Sequence, residues 1–267
     1  MDKERRTKIA AALDQYRQTV LQHNIALLRI IVDSLEPLPP SSRLSILADR
    51  YRISLPESVK EPQDLFTDDV RAELIRRNWL DGVANRPNPT KREDYFAKIR
   101  ANITGMDLHF GEEFESVPAD LYYLCTLVDG IPGPALPSYT DATQIECITP
   151  SSDHIDDLDY IIVPGWDDTG ERTDIFLGCW EDWEIAMAFQ IGRGPFALCG
   201  SCAIYCRNKE DDDNKGWKWR YGMFDGDWTS DMFDTIEGFL VFCSQHGRQT
   251  EEVIRKDIGR LGLGRVR

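Results

Sequence analysis

Val117–Gly130 reads VPADLYYLCTLVDG. Val117, Leu121, Leu124 and Leu127 or Val128 recur along one face at helical spacing. Pro118 suits a first helical turn, where its missing amide hydrogen would have no intrahelical acceptor. Asp120 complements the positive end of the helix dipole, and Gly130 can take the left-handed conformation that ends a helix. Three prolines in Ile131–Tyr139 then turn the chain, and from Asp159 the apolar period falls to two. Tyr160–Val163 and Thr173–Leu177 are short strand candidates around the turn-rich Asp167–Arg172. In Trp183–Ile191, the residues Trp183, Ile185, Met187, Phe189 and Ile191 are expected on one face, with Glu184, Ala186, Ala188 and Gln190 on the other. Gly192–Pro195 reads as a turn and Phe196–Cys206 as the next strand. After a solvated charged loop, Arg207–Gly216, comes Trp217–Phe224, where Trp217, Trp219, Tyr221 and Met223 alternate with Lys218, Arg220 and Gly222. This is the pattern of an antiparallel meander with one apolar face. Asp234 and Glu237 fit a capping box for a covering helix whose buried stripe is Ile236, Phe239, Leu240 and Cys243. Glu251–Leu261 adds a last helix, and Gly262–Arg267 reads as a loose tail.

Upstream the chain is helical. Ile9, Leu13, Tyr16, Val20, Leu27, Ile31 and Leu35 step by three or four, with a polar interruption near His23 and Asn24, and the run ends at Pro37. Arg43–Tyr51 and Asp69–Leu80 are shorter helices, the second turning Val70, Leu74 and Trp79 inward. The first stripe suits packing on its own domain or a dimer seam, and a monomer is the expected state. Asn85–Lys91 (NRPNPTK) is turn-rich and marks the boundary between a helical region, 1–84, and a domain spanning 92–267. The expected fold class is therefore α+β: a twisted antiparallel sheet flanked by helices, behind a helical N-terminal region.

A chain of 267 residues buries a full core, and its 42% hydrophobic and 10% aromatic content excludes global disorder. Lys and Arg number 31 against 46 Asp and Glu, a net charge of −15. That field disfavours nucleic acid and anionic membrane, and it suits a basic protein partner. Seven cysteines in such a length lack the density of a disulfide scaffold, and MDKERRTKIAAALDQ lacks an apolar signal core. No run approaches a membrane span. A reduced protein of the cytoplasm or nucleus, without a cofactor, is expected.

Chemistry-bearing groups are few. Cys199-x-x-Cys202 with Cys243-x-x-His246 has the composition of a zinc site. A regular strand, however, would point Cys199 and Cys202 to opposite faces, so core packing is the expected role unless Gly200–Ser201 forms a knuckle. A Cys–His nucleophile pair lacks any local signature. The carboxylates of Asp153–Asp159, Asp167–Asp168 and Glu181–Glu184 miss the calcium-loop spacing. With Trp166, Trp180 and Trp183 they make a better interface, so Trp166, Asp167, Asp168, Trp180, Glu181, Asp182 and Trp183 are the candidate partner-binding residues. The alternative is a metal-dependent hydrolase or zinc protein built on the Cys/His set or the loop carboxylates. Gly192-Arg-Gly-Pro195 sits between strands, and its proline lacks a donor, so it is no phosphate cradle. Lys218 and Arg220 among aromatics mimic a nucleic-acid-binding strand, which the apolar face already explains.

Pro118, Leu121, Leu124, Leu127 and Gly130, then Ile191–Gly192, Cys202–Tyr205, Trp217 or Trp219, and Phe233–Leu240 (FDTIEGFL), follow one another in an order that resembles the SUKH superfamily. That group includes fungal cell-wall-synthesis regulators and bacterial immunity proteins. The likeness covers Glu115–Gln245, about half the chain; Met1–Arg100 and the cysteine-rich strand lie outside the pattern. It implies a non-enzymatic protein-interaction domain, a toxin-neutralising protein or a regulatory hub.

Overall fold

The computed structural model of the chain describes residues 1–84, 88–105, 114–137, 145–149, 161–162, 180–194, 199–210, 216–225 and 228–260. Helices α1 (Lys3–Ser34), α2 (Pro40–Asp49), α3 (Asp68–Asn78), α4 (Pro89–Gly105) and α5 (Ala119–Leu127) come first, with a 3-10 turn at Pro62–Phe66. Strands β1 (Ile161–Ile162), β2 (Trp183–Arg193), β3 (Cys199–Asn208), β4 (Lys218–Asp225) and β5 (Trp228–Thr229) follow, then α6 (Ile236–Cys243) and α7 (Glu251–Arg260). All strand pairs are antiparallel and the order is β1-β2-β3-β4-β5, a simple meander. The fold is α+β, as the change of apolar period implies. No helix among the described residues is long and apolar enough to cross a membrane.

The sheet buries apolar side chains on both faces rather than one. Met187, Phe189, Ile191, Cys199, Ala203, Tyr221 and Met223 meet the helices in one core. Ile185, Ala188, Cys202, Ile204, Cys206 and Phe224 gather around Trp180 on the opposite face. Strict alternation along β2 would put Ile185 with Met187. The register shifts between those two residues, and again between Gln190 and Gly192. Each extra residue reverses the faces that follow. β3 and β4 keep their alternation, so β3 sends odd-numbered side chains to the helices and even-numbered ones away.

α1 runs unbroken for 32 residues through the expected interruption. Its N-terminal half (Ile9, Leu13, Tyr16, Val20) packs in the sheet core, and its C-terminal half (Ile25, Leu28, Ile31, Val32), with Leu35 at its C-cap, packs with α2, α3 and α7 in a second core. The whole stripe is thus buried within its own chain. His23 and Asn24 mark the join between the cores. Buried Asn24 donates to Leu80 O at 3.0 Å, and His23 Nε2 meets Gln249 O at 2.9 Å.

Several ends differ from expectation. α5 is shorter than Val117–Gly130 because Pro118 occupies its N-cap, and Val128 is already extended (φ −140°). Gly130 forms a bridge with Ala84 rather than a left-handed cap. α6 is capped by Thr235, whose hydroxyl accepts from Gly238 N at 3.2 Å. Asp234, the expected cap, is drawn to Arg220 on β4. α4 begins inside the expected linker, where Asn88 Oδ1 accepts from Lys91 N and Pro89 fills the first turn. Thr173–Leu177 lies outside the described residues. Arg5 joins α1 to the first turns of α5 and α6, donating to Asp120 (Nε–Oδ2 3.0 Å) and Glu237 (Nη2–Oε2 2.7 Å). Both carboxylates also complement their helix dipoles.

Candidate functional site

The zinc set does not assemble. Cys202 lies on the face of β3 turned away from the helices, while Cys199 and Cys243 lie in the helix-side core. The regular pleat is the reason: residues three apart on a strand point oppositely. His246 stacks between Trp228 (5.3 Å) and Phe242 (5.1 Å). Among the described residues no group of three or more His, Cys, Asp or Glu gathers as a metal site requires. The six described cysteines are buried and form no disulfide among the described residues. Burial drives the thiols of Cys125, Cys202 and Cys243 well above their usual range, and pushes Cys206 up to about 12 despite Arg220. Thiols so held stay protonated, which suits packing rather than ligation or nucleophilic attack.

The partner-binding candidates divide. Trp180 is buried, its indole donating to Ser230 O at 3.0 Å, because the second face of the sheet needs a cover. It is a core residue rather than a contact residue. Glu181 and Asp182 are exposed and Trp183 half-buried at the start of β2. Trp166, Asp167 and Asp168 lie outside the described residues, as do 153–159.

Where β2 begins, β3 ends and β4 begins, charge and aromatic surface meet. Lys209 donates to the backbone oxygens of Asp182 (3.0 Å) and Glu181, tying the two strand ends while the two carboxylates face solvent. Glu184 accepts from Arg207 Nε at 2.7 Å, and Arg207 lies over Trp217 at 5.4 Å. Trp217 stacks on Tyr205 at 5.7 Å. Arg220, only 4% exposed, lies 4.5 Å over Trp183 and donates to Asp234, Cys206 O and Gly216 O. The cations orient the rings, one on each face of the sheet, and Glu181 and Asp182 stand exposed at the start of β2.

Asp234 is the titrating member of this edge, bridging Arg220 (2.6 Å) and Lys218 (3.1 Å). Partial burial pushes its carboxyl up, but Arg220 and Lys218 outweigh that and hold it below the ordinary 3.8. The folded state therefore binds this proton less readily than the unfolded chain. The stability gained is complete above the unfolded value and disappears as pH falls through the folded one. Thermal melts across the acid range should show a shallower acid limb for Asp234→Asn. An unaltered limb would show that the bridge contributes nothing to acid sensitivity.

A second concave feature lies at the end of α3. An open pocket of about 450 Å³, solvent at its mouth included, is lined by Arg52, Ser54, Arg77, Asn78 and Trp79, and by Pro132, Gly133, Ala135 and Pro137. Asn78 latches one wall, accepting from Ser54 N at 2.6 Å and donating to Ser54 O at 3.1 Å. Trp79 is 49% exposed, where the helical period expects it inward. Sequence reasoning missed it, and also missed Trp228, 44% exposed beside His246. The missed signal at Trp79 is its place just past the helical run that ends at Asn78, where the chain has to reverse. Comparison of the chain with known protein families, with characterised proteins and with solved structures gives no match.

Proposed function

We propose that the chain is a non-catalytic protein-interaction module, of the kind its resemblance to SUKH proteins implies, and that it holds a basic protein partner. The observation that carries this reading is the edge at the start of β2. There the exposed carboxylates of Glu181 and Asp182 lead directly into Trp183, a half-buried ring held by Arg220 on one face of the sheet, while Trp217, half-buried and held by Arg207, lies on the other face. Rigid aromatic area with a charged rim is the composition of binding hot spots, and a net charge of −15 steers cations toward the chain. The buried thiols fit a reducing compartment such as cytoplasm or nucleus. The test is affinity capture from native lysate with the full chain and with the double variant Glu181→Lys, Asp182→Lys. A stoichiometric basic protein should be retained by the first, released by salt, and lost from the second. A partner held equally by both proteins, or indifferent to salt, would refute the acidic edge as the binding surface.

A further inference from the structure

We propose that the pocket at the C-terminal end of α3 binds a small planar anion, a flat ring that carries a carboxylate or a phosphate. Among the described residues only two non-glycine residues have positive φ, Arg52 (+52°) and Trp79 (+48°). Both line this pocket. A left-handed backbone is unfavourable for any L side chain and is most unusual for a bulky one. The chain reverses at Trp79 to end α3, Trp79 N and Leu80 N both donating to Ile75 O. Glycine would make that reversal without strain. The ring does not repay the cost by burial, because half of it stays in solvent. Strained backbone that packing leaves unexplained is characteristic of ligand sites.

The surroundings specify the ligand. Trp79 presents an aromatic surface on which a flat ring can stack. Pro132, Ala135 and Pro137 supply apolar contact, and Gly133 (φ +124°) brings bare backbone into the wall. Arg52 and Arg77 both line this small pocket of a strongly acidic chain. Glu73 takes both Nε (2.7 Å) and Nη2 (2.5 Å) of Arg77 and fixes that side chain, which leaves Nη1 and the second Nη2 hydrogen for a ligand. Planar guanidinium pairs with carboxylate or phosphate through parallel hydrogen bonds. The Asn78 amide is engaged with Ser54, which makes it a support for the wall rather than a ligand contact. None of these residues belongs to the acidic edge, so this site and the protein-binding reading stand or fall separately.

The test is calorimetric titration of the full chain with benzoate and with adenosine monophosphate, each beside its neutral counterpart, benzamide or adenosine. At least one anion should bind a single site, about tenfold or more tighter than its neutral partner, and more weakly as salt rises. The arm that binds identifies a carboxylate or a phosphate as the source. Trp79→Gly should abolish that binding while raising the melting temperature, since glycine relieves the left-handed strain. Arg77→Gln, which leaves the reversal intact, should weaken binding about tenfold. Failure of both anions to bind at millimolar concentration, equal binding of a neutral analogue, or wild-type affinity in either variant would overturn the site.

Discussion

Gly192→Ala is expected to be the most damaging single-methyl change in the described chain. A Cβ on Gly192 would fall inside the contact distance of the Glu146 carbonyl and lie 2.7 Å from Ser201 Oγ. The obstacle is backbone, and that backbone is pinned. Glu146 N donates to Arg193 O at 2.7 Å, Thr149 N donates to Ile191 O at 2.6 Å, and Ser201 Oγ donates to Glu146 O. Residues 145–149 thus cover the edge of β2 beyond its pairing with β1. A methyl group must push this cover away, breaking hydrogen bonds as well as packing. Overpacking costs about 1–3 kcal/mol and each displaced hydrogen bond about 1 more, so a loss on the order of 3–5 kcal/mol is expected. Urea unfolding should show a lower midpoint at an unchanged slope. A change below about 0.5 kcal/mol, the range of ordinary surface substitutions, would mean that residues 145–149 do not lie against Gly192.

Arg220→Leu is the second large effect. The guanidinium is buried, yet every contact it makes is favourable: Asp234 at 2.6 Å, Gly216 O at 3.1 Å, Cys206 O, and the face of Trp183. Leucine preserves the apolar contact with the ring but leaves the carbonyl of buried Cys206 without this donor. Asp234 is 58% exposed and stays solvated, so the loss is that of a buried acceptor left without its donor and of a screened ion pair, on the order of 2–3 kcal/mol. Arg220→Lys should recover little of it, because a point charge cannot serve three separated acceptors. Denaturant titration measures the loss. In addition, Trp183 should lose its fixed orientation, seen as a diminished near-ultraviolet circular dichroism signal. Wild-type stability in Arg220→Leu would show that the acidic edge is not organised around this cation.

The elements that declare themselves in the sequence are those whose partners repeat along the chain. The α1 stripe, the α6 stripe and the alternation of β3 and β4 each follow from one period. Three kinds of feature escape that reading. A bulge is one: nothing local to Ala186 announces that the pleat skips there, although the skip moves Met187 to the other face from Ile185. A long-range competitor is another. Asp234 is a sound cap by local rules, but Arg220 lies fourteen residues away and outbids the helix for it. The third is inverted burial. Trp180 disappears under the sheet because Ser230, fifty residues on, offers its carbonyl, while Trp79 surfaces because the chain must reverse at that residue. α4 hides for a simpler reason, since its inward residues Tyr95, Phe96, Ile99 and Ile103 stand among charged neighbours behind a proline-rich start.

Because one rod inserts into both cores, no seam divides them among the described residues. At 1.5 Å per residue its 32 residues extend for about 48 Å, and neither nucleus can release it without exposing apolar surface belonging to the other. Opening of the sheet end should therefore drag the α3 end with it, so amide exchange would proceed in a single concerted class across the spine. Evolution or engineering that adjusts one half of this protein must keep the shared axle true.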